Sequence, residues 1–223
     1  MINLSGRILA VVSHPDDETF GCGGTLALHA SIGSPVSVLC LTCNPPSRRD
    51  EIMSAAEELG IIEPIVLDNS TILQTQEFIK KVSDHIVTFK PSVVLTHIPF
   101  DYHWEHIYTY NIVKEAVEWA AHTTNYDEPC LVEKLLMMEV NTLIPNPHII
   151  VDVSGTMEAK RKATKHYSSQ LSKFNWGYYE MFNEKKAELR GVQGGCDYAE
   201  AFLVEPLARN SPFYANKSVR SVL

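Results

Sequence analysis

Arg7-Ile8-Leu9-Ala10-Val11-Val12-Ser13 runs directly into His14-Pro15-Asp16-Asp17-Glu18 and then Phe20-Gly21-Cys22-Gly23-Gly24. This stretch decides how the chain folds. An unbroken aliphatic run between polar ends reads as a strand buried on both faces, the kind found inside parallel sheets. A histidine and three carboxylates crowd at its end. Neighbouring carboxylates repel one another unless a cation sits among them, so the cluster suggests a metal site.

Outward from that strand, apolar runs alternate with helix-length segments. A helix is expected from about Gly23 to Ser31, a strand over Pro35 to Leu41, and a helix over Arg48 to Leu59 stopped by Gly60. A short strand over Pro64 to Leu67 precedes Thr75 to Phe89, where Phe78, Ile79, Val82, Ile86 and Phe89 recur at helical spacing. Ser92 to Thr96 is a further strand, and Trp104 to Ala121 a further helix. The pattern then loosens: strands over Lys134 to Val140 and His148 to Val153, helices from about Thr156 to Ser168 and Gly177 to Leu189, and a last strand over Ala199 to Val204. Such alternation predicts an α/β fold, a Rossmann-like three-layer sandwich with a mostly parallel sheet. No repeat or linker divides the chain, so residues 1–223 are expected to form one domain. Ligands in such sheets bind beyond the carboxyl ends of the strands, at the switch point. The ends of the first and fourth strands carry the chemistry, at His14 and at the segment following His97.

That following segment, Asp101-Tyr102-His103-Trp104-Glu105-His106, offers what the first cluster lacks. His14 and Asp17 lie three apart on a turn stiffened by Pro15, a spacing able to aim both at one centre. Zinc hydrolases commonly use three protein ligands and leave one position for water. His106 is the best third ligand, with His103 one helical turn away. His97, His148 and His166 are weaker candidates, equally readable as core or solvated histidines. Asp152 fits either a carboxylate behind a ligating histidine or a residue that starts a helix. Trp176, Tyr178 and Tyr179 are able to stack on a sugar ring, although helical spacing favours a core role.

Composition narrows the class. Of 223 residues, 45% are hydrophobic, enough for a sizeable core, and the net charge of −8 argues against a nucleic-acid or acidic-membrane surface. The start of the chain shows no export signal, and no stretch approaches the ~18 consecutive apolar residues of a membrane helix. Five scattered cysteines (22, 40, 43, 130, 196) suit a reducing, cytoplasmic setting. Cys40-Leu41-Thr42-Cys43 has no second pair and reads as ordinary buried cysteine. The N-x-S/T matches at Asn69 and Asn216 are treated as chance. A binding module is the rival from another class, because Gly21-Cys22-Gly23-Gly24 at a helix start is able to cradle a phosphate.

The motifs resemble those of the LmbE-like, or PIG-L-type, family of zinc-dependent N-acetylglucosamine deacetylases. The resemblance rests on H-P-D-D-E at 14–18 with the following glycines, and on Arg48, Glu51, Ala55 and Leu59-Gly60 in the second helix. It extends through the segment 101–106, Asp152, Ser169-Gln170, and Arg190-Gly191 through Tyr198-Ala199-Glu200-Ala201-Phe202. It implies that His14, Asp17 and His106 hold one Zn2+, with Fe2+ as the other metal such ligands accept. It further implies that Asp16 is the general base, and that His103 stabilises the oxyanion or protonates the leaving amine. Arg48 would contact substrate, and Glu105 would stand where the family usually places an aspartate that orients the catalytic histidine. The expected reaction is hydrolysis of an N-acetyl group from a small-molecule amino sugar. An amidase acting on another N-acyl compound, such as a thiol conjugate, is the alternative. Homo-oligomers are common for this architecture, but the sequence marks no interface.

Overall fold

The computed structural model describes residues 6–207; Asn216 lies outside them. One seven-stranded sheet has the order β3-β2-β1-β4-β5-β7-β6. Its strands are β1 (Ile8–Val12), β2 (Val36–Cys40), β3 (Ile65–Val66), β4 (Val93–His97), β5 (Lys134–Met138), β6 (Ile149–Asp152) and β7 (Ala199–Glu205). All neighbouring pairs are parallel except those of β7, which runs antiparallel to both β5 and β6. The expected α/β sandwich with a mostly parallel sheet is therefore what forms.

The two-faced burial of β1 follows from its residues. Ile8, Ala10 and Val12 enter one core cluster and Leu9 and Val11 the other, each at most 2% exposed. Alternation with period two in an all-aliphatic strand is what two helical layers require. One layer contains α1 (Asp17–Ser31), α2 (Arg48–Leu59), α5 (Met157–Lys165) and α7 (Tyr178–Gly194), with the single turn α6 (Ser168–Leu171) beside them. The other contains α3 (Gln76–Phe89) and α4 (Trp104–Ala120), packed against each other. The Thr75 hydroxyl caps α3 by accepting from the Phe78 amide at 3.4 Å. Gly60 ends α2 in the left-handed conformation, φ 69°, that glycine adopts without a Cβ penalty. Because β2 and β4 flank β1 and feed helices on opposite faces, the sheet's switch point lies at the end of β1.

The start of α1 differs from expectation. The helix begins at Asp17, not near Gly23, and is interrupted at Cys22 (φ −146°, ψ 16°). The glycine run is thus a seam between two helical pieces. Distant groups satisfy the backbone freed there. The Glu200 carboxylate accepts from the amides of Gly24 (2.9 Å) and Thr25 (2.8 Å), while Lys160 and Lys186 donate to the Phe20 carbonyl at 3.2 and 3.0 Å. An anion does sit on this helix start, as the sequence allowed, but it is the protein's own carboxylate. Glu200 is in turn paired with Lys160 at 2.6 Å, both side chains almost fully buried. The amides of a phosphate cradle are therefore already engaged.

Candidate active site

Pro15 and the turn after β1 send the three neighbouring acids in different directions. Asp17 points back under His14: its Oδ2 accepts from the His14 amide at 2.8 Å and lies 3.3 Å from His14 Nδ1. Glu18 turns into the core, where it accepts from the Tyr167 hydroxyl and, at 2.6 Å, from the Thr19 hydroxyl. Asp16 is left facing the pocket, held by Arg48 Nη2 at 3.1 Å from its Oδ2. Its backbone adopts φ 126°, ψ −30°, outside the regions open to L-residues without strain. Strain of this kind, ~1–3 kcal/mol, persists where surrounding structure over-determines a residue, often at functional sites.

The second segment converges on the first. β4 ends at His97, and Asp101 and His103 lead into α4. His106 Nε2 lies 3.3 Å from Asp17 Oδ1, and the ligand atoms of His14, Asp17 and His106 all fall within 4.8 Å of one another. The far nitrogen of each histidine meets a carboxylate: His14 Nε2 is 2.7 Å from Glu105 Oε2, and His106 Nδ1 is 3.5 Å from Asp101 Oδ1. A carboxylate behind each imidazole fixes its tautomer and leaves the other nitrogen for a metal. Two imidazoles, each with a carboxylate on its far side, together with the Asp17 carboxylate suit a divalent ion such as zinc. His14, His103 and Glu105 also cluster within 4.8 Å. In that group, however, Glu105 is already engaged, since its Oε1 accepts from the Ile72 amide and the Thr71 hydroxyl, both at 2.9 Å.

The electrostatics follow from this geometry. Burial works against a charge on His14, yet hydrogen bonds to Asp17 and Glu105 raise its pKa to about 9. His106 is likewise opposed by burial and lifted to about 10 by Asp17 and Asp101. The surrounding carboxylates thus favour positive charge at this centre, and a divalent cation would supply it. Burial, and then the neighbouring Asp17 charge, push Asp16 up to about 7 against the pull of Arg48. A carboxyl poised there is matched to proton transfer near neutral pH. His103 is shifted down by burial and by the charges of His106 and His14, and its Nδ1 accepts from the Glu105 amide at 3.3 Å. With Nδ1 accepting, the ring proton sits on Nε2.

Two expectations need correction. The Glu105 carboxylate does not orient His103: it meets His14, Thr71 and Ile72, and only the Glu105 backbone amide reaches His103. Asp152 stands behind no ligating histidine. It ends β6 at the sheet's edge, exposed, and accepts from the Ser154 amide (2.9 Å) and hydroxyl (2.6 Å), which turns the chain toward α5. Its helix-initiating reading is the one the geometry fits. His97 lies beneath the site: its Nε2 accepts from the Ser13 amide at 3.0 Å and its ring stacks on His106, centroids 4.0 Å apart. His148 and His166 are remote, at the Val204 amide and 3.7 Å from Glu58.

Asp101 was quoted in the motif but given no task, since spacing across a helix start does not say which side chains meet. The C-terminal motifs support the site from behind. Ser169 donates to Glu51 from its amide (2.8 Å) and hydroxyl (2.6 Å), and Arg190 pairs with Glu139 inside the core. Lys186 donates to the carbonyls of Phe20, Glu139 and Val140 at 2.9–3.1 Å, tying α7 to two walls of the pocket.

Comparison with known proteins agrees with this picture. Residues 9–117 match the family described as PIG-L: GlcNAc-PI de-N-acetylase. The chain is 26% identical to the diacetylchitobiose deacetylase of Thermococcus kodakarensis, over 90% of this chain and 83% of that protein. The crystal structure of the conserved protein TT1542 from Thermus thermophilus superposes with a TM-score of 0.82 and 26% identity, covering 92% of this chain and 97% of that one. The 4-carboxy-2-hydroxymuconate hydratase GalB of Pseudomonas putida shares the fold at a TM-score of 0.79 and 21% identity, over 89% and 95% of the two chains. The scaffold alone therefore does not name a reaction. The end of β1, the H-P-D-D-E turn and the second histidine segment all lie inside the stretch, residues 9–117, that matches the PIG-L, or LmbE-like, family.

Proposed function

We propose that this protein is a metal-dependent hydrolase that removes the N-acetyl group from an N-acetylglucosamine-type amino sugar. The observation that carries the reading is the placement of Asp16: buried, backbone-strained, with a pKa of about 7, beside the His14–Asp17–His106 cluster. We assign His14, Asp17 and His106 as ligands for zinc or another divalent ion. Such an ion, when bound, polarises the acetyl carbonyl and acidifies a water in its open position.

The chain's own groups handle the protons. Asp16 accepts the proton of the attacking water, and Arg48 holds its carboxyl in place through Oδ2 while also donating to the Pro15 carbonyl. His103, neutral with its proton on Nε2, donates a hydrogen bond to the oxygen on which negative charge develops. As the C–N bond breaks, Asp16 returns its proton to the amine, so acetate and a free amino sugar leave. His103 is the weaker candidate for that last transfer, because its depressed pKa keeps the ring unprotonated. Arg48 also lines the pocket and is placed to contact the sugar. We locate the reaction in the cytoplasm; the cysteines of the described residues are all free, in keeping with a reducing compartment. Among the described residues no helix is long and apolar enough to cross a membrane.

The test is acetate release from a panel of N-acetyl amino sugars by protein stripped of metal and then given back zinc. Turnover that appears with zinc and disappears with chelator is expected. Zinc-loaded protein that releases acetate from none of the panel would overturn the proposal.

A further inference from the structure

β1 and β4 separate just below the site. β1 pairs with β4 only from Ile8 to Ala10, while its pairing with β2 runs on to Val12. The split opens the crevice in which the two ligand-bearing segments meet, and it leaves the ends of these strands without a shared ladder. Side chains of β4 take over. The Thr96 hydroxyl donates to the Val11 carbonyl at 3.0 Å, and His97 Nε2 accepts from the Ser13 amide at 3.0 Å. Ser13 Oγ continues the link into α4, donating to the Glu105 carbonyl at 3.2 Å and lying 2.8 Å from Thr109 Oγ1. Ser13, His97 and Thr109 are all fully buried.

His97 is the centre of this bridge. Its Nε2 holds the residue immediately before His14, and its ring lies against His106, with centroids 4.0 Å apart and planes 21° from parallel. One side chain thus touches both halves of the His14–Asp17–His106 cluster. Packing alone does not explain a histidine here. With Nε2 accepting, the ring proton is on Nδ1, which is buried with no hydrogen-bond partner among the described residues. An apolar side chain would fill the space without an unpaired polar atom, so the use of the ring lies in its bond to Ser13. We propose that His97 is a positioning residue. Its bond to Ser13 sets the span between the segment of His14 and Asp17 and that of His106, and so sets how tightly and in what geometry the cluster holds a divalent ion. This inference rests on the metal assignment made above.

His97→Gln and His97→Asn separate reach from polarity. Both carry a carboxamide. That of glutamine ends where Nε2 stands and can accept from the Ser13 amide, whereas that of asparagine ends near the place of Nδ1, one methylene short. Competition with a chromogenic chelator measures zinc affinity, and the visible absorption of the Co2+-loaded protein reports the ligand geometry. His97→Asn should bind zinc about 10–100-fold more weakly than wild type, the usual range for losing a group behind a ligand, and its Co2+ bands should change. His97→Gln should recover most of that loss and keep the wild-type spectrum. A His97→Asn protein with wild-type affinity and spectrum overturns the proposal, as does a His97→Gln protein no tighter than His97→Asn. Should His97→Asn not fold, His97→Gln decides alone: a loss below about tenfold with wild-type bands supports the bridge, and a larger loss overturns it. Wild type that binds neither ion overturns the metal assignment and this inference together. Neither readout needs a substrate, so a failed acetate assay leaves both in force.

Discussion

Shortening Glu105 to aspartate is expected to weaken metal binding. Glu105 spans two sets of partners: Oε2 reaches His14 Nε2 at 2.7 Å, and Oε1 accepts from the Thr71 hydroxyl and Ile72 amide at 2.9 Å. Removing one methylene withdraws the carboxylate by about 1.5 Å, one C–C bond. It then cannot keep both sets, and the bond to His14 would stretch well beyond hydrogen-bonding distance. Burial tends to raise the Glu105 pKa, but His14 and the two donors bring it down to about 2, so the bond that is lost is to a full negative charge. Charge-assisted hydrogen bonds contribute about 1.5–3 kcal/mol. If that stabilisation favours the ligating orientation of His14, its loss weakens metal affinity roughly 10–100-fold, the usual cost of losing a group behind a ligand. Competition with a chromogenic chelator measures the affinity directly. Glu105→Gln, which keeps the length and loses the charge, should fall between wild type and Glu105→Asp. A Glu105→Asp protein that binds zinc as tightly as wild type would refute the argument that Glu105 acts through His14.

Other consequences are open to measurement. Asp16→Asn should keep its zinc, since Asp16 lies outside the ligand set, while kcat drops about 10²–10⁴-fold; a variant with near-full turnover would mean the base is misassigned. In wild type, kcat/KM should climb as pH rises through the region of 7, where Asp16 loses its proton, and a profile flat across that region would count against it. Burial, then the Lys160 charge, lower Lys186 from 10.5 to about 7. The unfolded chain therefore binds the extra proton between those values, and the folding stability of wild type relative to Lys186→Met should increase with pH across that window, by at most about 1.4 kcal/mol per unit. Denaturant titrations at several pH values showing the difference shrinking would contradict it. Glu200→Ala strands the buried Lys160 ammonium and uncovers the amides of Gly24 and Thr25, so a loss of about 3–5 kcal/mol is expected in chemical denaturation. A loss below about 1 kcal/mol would show that the seam in α1 does not depend on this carboxylate.

Much of the fold was legible because it is written locally. An all-aliphatic β1, the 3.6-residue rhythm of α3 and the glycine stop of α2 each depend on residues within a few positions of one another. The helix start at Asp17 was not legible. Four residues around three glycines resemble a turn, and a helix passes through them because Glu200, Lys160 and Lys186, from α5, α7 and β7, satisfy the groups exposed at Cys22. Asp152 and Glu105 mark the same boundary. Glu105 meets His14, Thr71 and Ile72, all distant in the chain, while Asp152 meets the nearby Ser154, so only the folded chain separates a carboxylate behind a ligating histidine from a turn residue.

From residue order alone came the strand that ends in a histidine and two aspartates, the second histidine segment, and their common position on one rim of a parallel sheet. Those features rest on periodicity and on the right-handed logic of strand–helix crossovers, which short stretches of sequence encode. Tertiary structure decided which carboxylate backs which imidazole, and that of three adjacent acids Asp17 turns to the histidines, Glu18 into the core and Asp16 into the pocket beside Arg48. Hydrogen bonds and charge interactions act over a few ångströms between groups that the chain separates by scores of residues, so only the folded protein assigns them.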